Sequence, residues 1–152
     1  MGGGMKALQR LEDYIVEHYP SRAERLADWW VHAVGLVLAA GGGIALFLYS
    51  SSHAGWAVAT VTSLYAACLI AMLACSAAYN LTKVSRARPF LRRLDEAAIF
   101  VMIAGSYTPF TTQRLVGGGG GCMTILVWAI AAAGVAGKLL APRVSERAWT
   151  LL

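Results

Sequence analysis

The run WAVATVTSLYAACLIAMLACSAAY, from Trp56 to Tyr79, contains no Asp, Glu, Lys, Arg or His. A helix rises about 1.5 Å per residue and a bilayer's hydrocarbon core is about 30 Å thick, so roughly 20 apolar residues suffice to cross it. The run is long enough, and working outward from it the chain repeats the pattern. Trp29 to Tyr49 contains a single ionisable group of that kind, His32. Ala97 to Gln113 is shorter but uncharged, and Leu115 to Gly137 is uncharged although it opens on the glycine run Gly117 to Gly121. Only 14% of the 152 residues are charged, against about a quarter in a soluble domain, and they stand in blocks between the apolar stretches. A soluble helix would carry them along one face. A secretory signal fits poorly, because a charged segment precedes the first stretch. The expected fold is therefore an all-α membrane protein, an antiparallel bundle of transmembrane helices with spans near 26–50, 56–80, 95–114 and 120–141.

The cations set the topology. Lys6, Arg10, Arg22 and Arg25 precede the first span; Lys83, Arg86, Arg88, Arg92 and Arg93 lie between the second and third; Lys138, Arg143 and Arg147 follow the fourth. The other two loops hold only Arg114. This one-sided distribution accounts for the net charge of +5 without a nucleic-acid partner. The positive-inside rule assigns the basic side to the cytoplasm. A multi-pass protein of the inner (plasma) membrane follows, with its N-terminus cytoplasmic and membrane lipids as its partners.

Residues 1–20 read as a cytoplasmic segment with an amphipathic helix over 5–19, in which Leu8, Leu11 and Ile15 share one face. Pro20 ends it. Ser21 and Glu24 have the spacing of a capping box, so the first span is expected to start there and to enter lipid near Trp29 and Trp30, residues suited to that boundary. Gly35, the run Gly41 to Gly43 and the small residues Ala131 to Gly137 suit close helix approach. Pro109 is expected to kink or end the third span, and Gly117 to Gly121 to be flexible. His53 reads as solvated. Cys68, Cys75 and Cys122 lie within spans, without C-x-x-C spacing, and read as buried free thiols.

Six polar residues fall at the basic-side ends of spans: Asp28, His32, Ser76, Asn80, Asp95 and Glu96. The alternating topology puts them in one leaflet, where they can converge between helices. Asp28 and His32, four apart, share a helix face, so the carboxylate can orient the imidazole; an interfacial pair facing headgroups is the simpler reading. Ser76 and Asn80 are also four apart, and either line a site or bond and cap their own helix. Asp95 either serves the site or is the N-cap of the third span, with Glu96 favoured by the helix dipole. Spacing alone makes no metal site, and there is no H-E-x-x-H, G-x-S-x-G or phosphate loop.

The ordered string Ser76-Ala-Ala-Tyr-Asn80, a basic loop, Leu91-Arg-Arg-Leu-Asp95-Glu-Ala-Ala-Ile-Phe-Val-Met-Ile-Ala-Gly-Ser-Tyr-Thr-Pro-Phe110, and then Trp128 through Lys138-Leu-Leu closely resembles the haemolysin III family, within the superfamily of adiponectin and progestin receptors. The resemblance covers residues 21–152. It implies a seven-span fold of which four spans are present, the segment Glu146 to Leu152 looking like the start of a fifth. It also implies a zinc site near the cytoplasmic surface and a hydrolase-like activity on lipids such as ceramides. The family pattern has a serine and a histidine ending its second helix, an aspartate starting its third, and an H-x-x-x-H pair on its seventh. Ser76 and Asp95 match the serine and aspartate and become the implied catalytic residues. Asn80, with Asp95, takes the implied metal position, but asparagine stands there in place of histidine. Glu96 stands where bacterial members often have histidine. With those ligands missing, weak zinc binding or none is expected. Three functions are weighed: a metal-assisted hydrolase or lipid-responsive site, incomplete in this chain; a non-enzymatic protein that alters bilayer properties or membrane energetics; and a cytolytic pore, which lacks a polar stripe along the spans. A second copy of the chain or further C-terminal helices would complete the assembly.

Overall fold

The computed structural model describes residues 21–82, 87–115 and 118–140. They form four helices: α1 Arg22–His53, α2 Trp56–Leu81, α3 Arg88–Gln113 and α4 Gly120–Leu140. Among the described residues there is no strand. The expected amphipathic helix over 5–19 and the expected fifth span fall outside them.

Three helices, α1, α2 and α4, are individually long and apolar enough to cross a membrane. α3 carries Arg88, Arg92, Arg93, Asp95 and Glu96 in its first turns and packs between α2 and α4. Large apolar side chains point outward, Val37 being 70% exposed and Ile125 72%. Water would penalise such a surface heavily, whereas hydrocarbon is its natural solvent.

The start of α1 follows the expected cap, because the Ser21 hydroxyl accepts from the Glu24 N–H at 3.2 Å. The start of α3 does not lie where the sequence put it. The helix begins at Arg88 rather than Asp95, with Pro89 in its first turn, where a missing N–H costs no hydrogen bond. Asp95 is therefore not an N-cap but stands about two turns inside the helix. Pro109 does not end α3, which continues to Gln113. At the other turn, Gly118 adopts φ +103, a left-handed conformation that suits glycine. Gly120 then starts α4 so close to α3 that an added Cβ would lie 2.2 Å from the Thr111 carbonyl oxygen. The described part of this glycine run is a tight turn.

Each helix packs on its successor, α1 on α2, α2 on α3 and α3 on α4. A glycine marks each seam. A Cβ at Gly43 would lie 2.9 Å from the Ala66 Cβ, one at Gly105 2.7 Å from Cys68, and one at Gly134 2.5 Å from the Phe100 ring. Without water to expel, helices in lipid associate through such close contact and through hydrogen bonds. Gly41, Gly42 and Gly137 meet nothing within 4 Å and do not contribute to these seams. Cys68 is buried, Cys75 half-buried and Cys122 exposed, so burial holds for the first thiol only.

Polar pairs reinforce the α3–α4 seam at the end away from the basic loops. The Thr111 and Thr124 hydroxyls are 2.6 Å apart, and the Trp128 indole N–H donates to the Thr108 hydroxyl at 3.1 Å. Thr108 donates to the Ala104 carbonyl while accepting from Trp128, so that cross-helix bond adds to a satisfied hydroxyl. Thr111 and Thr124 have one proton each, so whichever donates across the seam gives up a carbonyl of its own helix. Thr111→Val and Thr124→Val, alone and combined, are expected to yield a coupling energy of about 1 kcal/mol or less, read from unfolding in mixed micelles. A coupling of several kcal/mol would show that the hydroxyls carry the seam.

Candidate functional site

The site lies about one turn deeper than Trp29 and Trp30, which are half exposed with ring centroids 5.1 Å apart. On α1, the His32 Nδ1 sits 2.8 Å from the Asp28 carbonyl oxygen, one helical turn back, and 3.5 Å from the Asp28 carboxylate. The ring is thereby fixed by its own helix. Because Nδ1 faces only oxygen acceptors, it carries a proton.

His32 Nε2 is consequently presented to α2, where it lies 3.4 Å from the Ser76 Oγ. His32 is 9% exposed. The Asn80 amide, one turn along α2, donates to the same Oγ at 3.2 Å. Asn80 thus stays helical rather than capping α2, whose C-cap is Thr82. From α3, the Asp95 carboxyl comes near enough to Ser76 and His32 for both to act on its charge. This approach exists because α3 starts before Asp95; an N-cap would have held the side chain on its own backbone. Three helices therefore converge on one hydroxyl.

A hydroxyl has one proton and two lone pairs. With a neutral imidazole, Ser76 donates to Nε2 and accepts from Asn80 and from a protonated Asp95. With an imidazolium, Nε2–H donates to Ser76, which donates in turn to the Asp95 carboxylate. The two arrangements contain the same number of protons. Reversing two hydrogen bonds carries a proton from Asp95 to His32 through Ser76.

Glu96 does not join this cluster. Its carboxylate is 2.7 Å from Lys138 Nζ on α4 and 3.1 Å from Arg92 Nε on its own helix. It closes the basic end of the α3–α4 seam. Of the six polar residues expected in this leaflet, Asp28, His32, Asn80 and Asp95 gather around Ser76, and Glu96 is drawn instead toward α4. The sequence connected His32 with Asp28 but not with Ser76, which is 44 positions away; their common depth was the only signal. Lys138 was legible only as a topological charge.

The donor chemistry does not fit a zinc ion. Zinc usually takes three or four protein ligands, and among the described residues no three His, Cys, Asp or Glu side chains form a group able to hold a metal. His32 and Asp95 are the strong donors here, Glu96 is held by two cations, and Asn80 uses its amide nitrogen toward Ser76.

Comparison with known proteins shows the family. A family model described as "Haemolysin-III related" matches residues 22–151. The chain is 26% identical over 117 residues to the hemolysin-3 homolog of Bacillus subtilis (strain 168), covering 76% of this chain and 54% of the relative. It is 26% identical over 128 residues to hemolysin-3 of Bacillus cereus, covering 84% and 58%. The chain thus spans little more than half the length of these relatives. No solved structure matches it. Since the family model extends over almost every residue from the start of α1 onward, the chain belongs to the haemolysin-III related family and is an integral membrane protein.

Proposed function

We propose that the cluster around Ser76 is a hydrolase-like acid–base site that acts on the ester or amide carbonyl of a membrane lipid. The observation that carries the reading is the single hydroxyl approached by His32, Asn80 and Asp95 from three helices. It lies in the leaflet of the basic loops, near the depth of the Trp29–Trp30 pair where lipid carbonyls reside. Ser76 and Asp95 are also the two residues that the family resemblance implies as catalytic.

Ser76 is the nucleophile in this proposal. His32 Nε2 accepts the hydroxyl proton as Oγ attacks the carbonyl carbon, and Nδ1–H stays on the Asp28 carbonyl throughout. Asp95, protonated in the arrangement from which Ser76 attacks, holds the hydroxyl from α3, and the Asn80 amide is a fixed donor near the oxygen that gains charge. The proton on Nε2 passes to the departing alcohol or amine, leaving an acyl-serine. A water molecule, giving its proton to His32, then releases the fatty acid and restores Ser76.

The test is the full chain in vesicles of phosphatidylcholine containing ceramide, with free fatty acid followed by mass spectrometry. Release above protein-free vesicles is expected, unchanged by a strong zinc chelator, with well under one zinc per chain by elemental analysis. No release from ceramide or from the phospholipid ends the hydrolase reading, and stoichiometric zinc that resists chelation ends the metal-free one. A second reading draws on the completeness of the network. Every member of the cluster already has partners, so the same contacts can serve as a polar clasp between α1, α2 and α3 in a non-enzymatic protein that alters the bilayer or membrane energetics.

A further inference from the structure

A separate site lies at the membrane face opposite the basic loops. There the α2–α3 seam, closed where Gly105 meets Cys68, opens into a groove of about 360 Å³. Val58 and Val61 form one wall; Pro109 and Phe110 form the other, and Gln113 and Arg114 stand at its mouth. Phe110 is 68% exposed, so the groove opens sideways toward hydrocarbon.

Charge identifies what fills it. The acidic residues of the chain are Glu12, Asp13, Glu17, Glu24, Asp28, Asp95, Glu96 and Glu146. Those among the described residues, Glu24, Asp28, Asp95 and Glu96, lie toward the basic-loop end of the helices, so among the described residues this face contains the cation Arg114 and no carboxylate. Arg114, the C-cap of α3, is held where the helix dipole favours a positive charge. Its guanidinium needs an anion that the described residues do not provide at that face, and the anion available at that depth is a lipid phosphate. The guanidinium fork matches phosphate oxygens in paired hydrogen bonds.

We propose that this groove binds one phospholipid of that leaflet, with an acyl chain along Val58, Val61 and Phe110 and the phosphate gripped by Arg114 and Gln113. Binding at this site does not depend on the chemistry assigned to Ser76.

Native mass spectrometry of the full chain in micelles tests it, with palmitoyl-oleoyl phosphatidylglycerol, palmitoyl-oleoyl glycerol lacking a phosphate, and inorganic phosphate as separate probes. One retained phosphatidylglycerol per chain is expected. Occupancy should fall about tenfold or more in Arg114→Gln, the scale of one lost charge-assisted hydrogen bond, and comparably in Val61→Trp, which fills the groove with Arg114 intact. Arg25→Gln, at the opposite face, should retain the lipid. Equal retention by Arg114→Gln and the unaltered chain overturns the proposal. So does equal binding of the phosphate-free lipid, binding of inorganic phosphate alone, or a dimer mass in which a second copy replaces the lipid.

Discussion

Gly105→Val is expected to separate α2 from α3 and to lower the thermal unfolding temperature in detergent by roughly 5 °C or more, the scale of an overpacked core. Even the first added carbon would lie 2.7 Å from both Cβ and Sγ of Cys68 and 4.0 Å from the Leu64 carbonyl oxygen. The Cys68 Cβ is attached directly to the α2 backbone, so no rotamer moves it away and the helices themselves must part. Ser76 lies two turns further along α2, and Asp95 about three turns back along α3, so the parting also draws the hydroxyl and carboxyl apart. The origin of the effect can be isolated. Gly105→Ala should destabilise less than valine, and Cys68→Gly in that background should restore most of the loss by emptying the space. Unaltered melting of Gly105→Ala would mean that the seam is looser than described.

Ser76→Ala is expected to abolish lipid turnover while leaving the chain folded, since alanine fits the space and Asn80 can turn toward the headgroups. His32→Ala should cost about 10²- to 10⁴-fold, the usual worth of a positioned acid–base group. Asp28→Asn should matter far less. The closer Nδ1 contact, 2.8 Å, is to the main-chain carbonyl of residue 28, and the carboxylate is 3.5 Å away. Asparagine keeps the first of these contacts. This graded series separates catalysis from a structural clasp, which would show as parallel losses of thermal stability in Ser76→Ala and His32→Ala. Full turnover by Ser76→Ala would remove the nucleophile assignment.

The number of helices and their alternation were legible because hydrocarbon accepts few charges, and the cations of this chain are almost all on one side. Where α3 begins was not. Arg88, Arg92 and Arg93 with Pro89 read as part of a basic loop, yet proline is harmless in a first turn, and these arginines extend the helix beyond its apolar part. That extra length places Asp95 inside α3 and against Ser76. The rotation of each helix about its own axis was also hidden. α2 is apolar nearly all round, so its sequence pattern does not say which face meets α1, and only a common depth in the membrane linked Ser76 to His32. The glycines gave a partial signal: Gly43, Gly105 and Gly134 mark seams, whereas Gly41, Gly42 and Gly137 do not.

Contacts between described helices run only between neighbours in the chain, which makes growth of the array cheap in structural terms. Another helix laid along the free flank of α4 would disturb none of the three existing joints, much as a repeat protein is extended by adding units at one terminus. Relatives about 1.4 times as long can therefore share this quartet unchanged. The Ser76 cluster, being built wholly from the first three helices, is already assembled before any such newcomer docks.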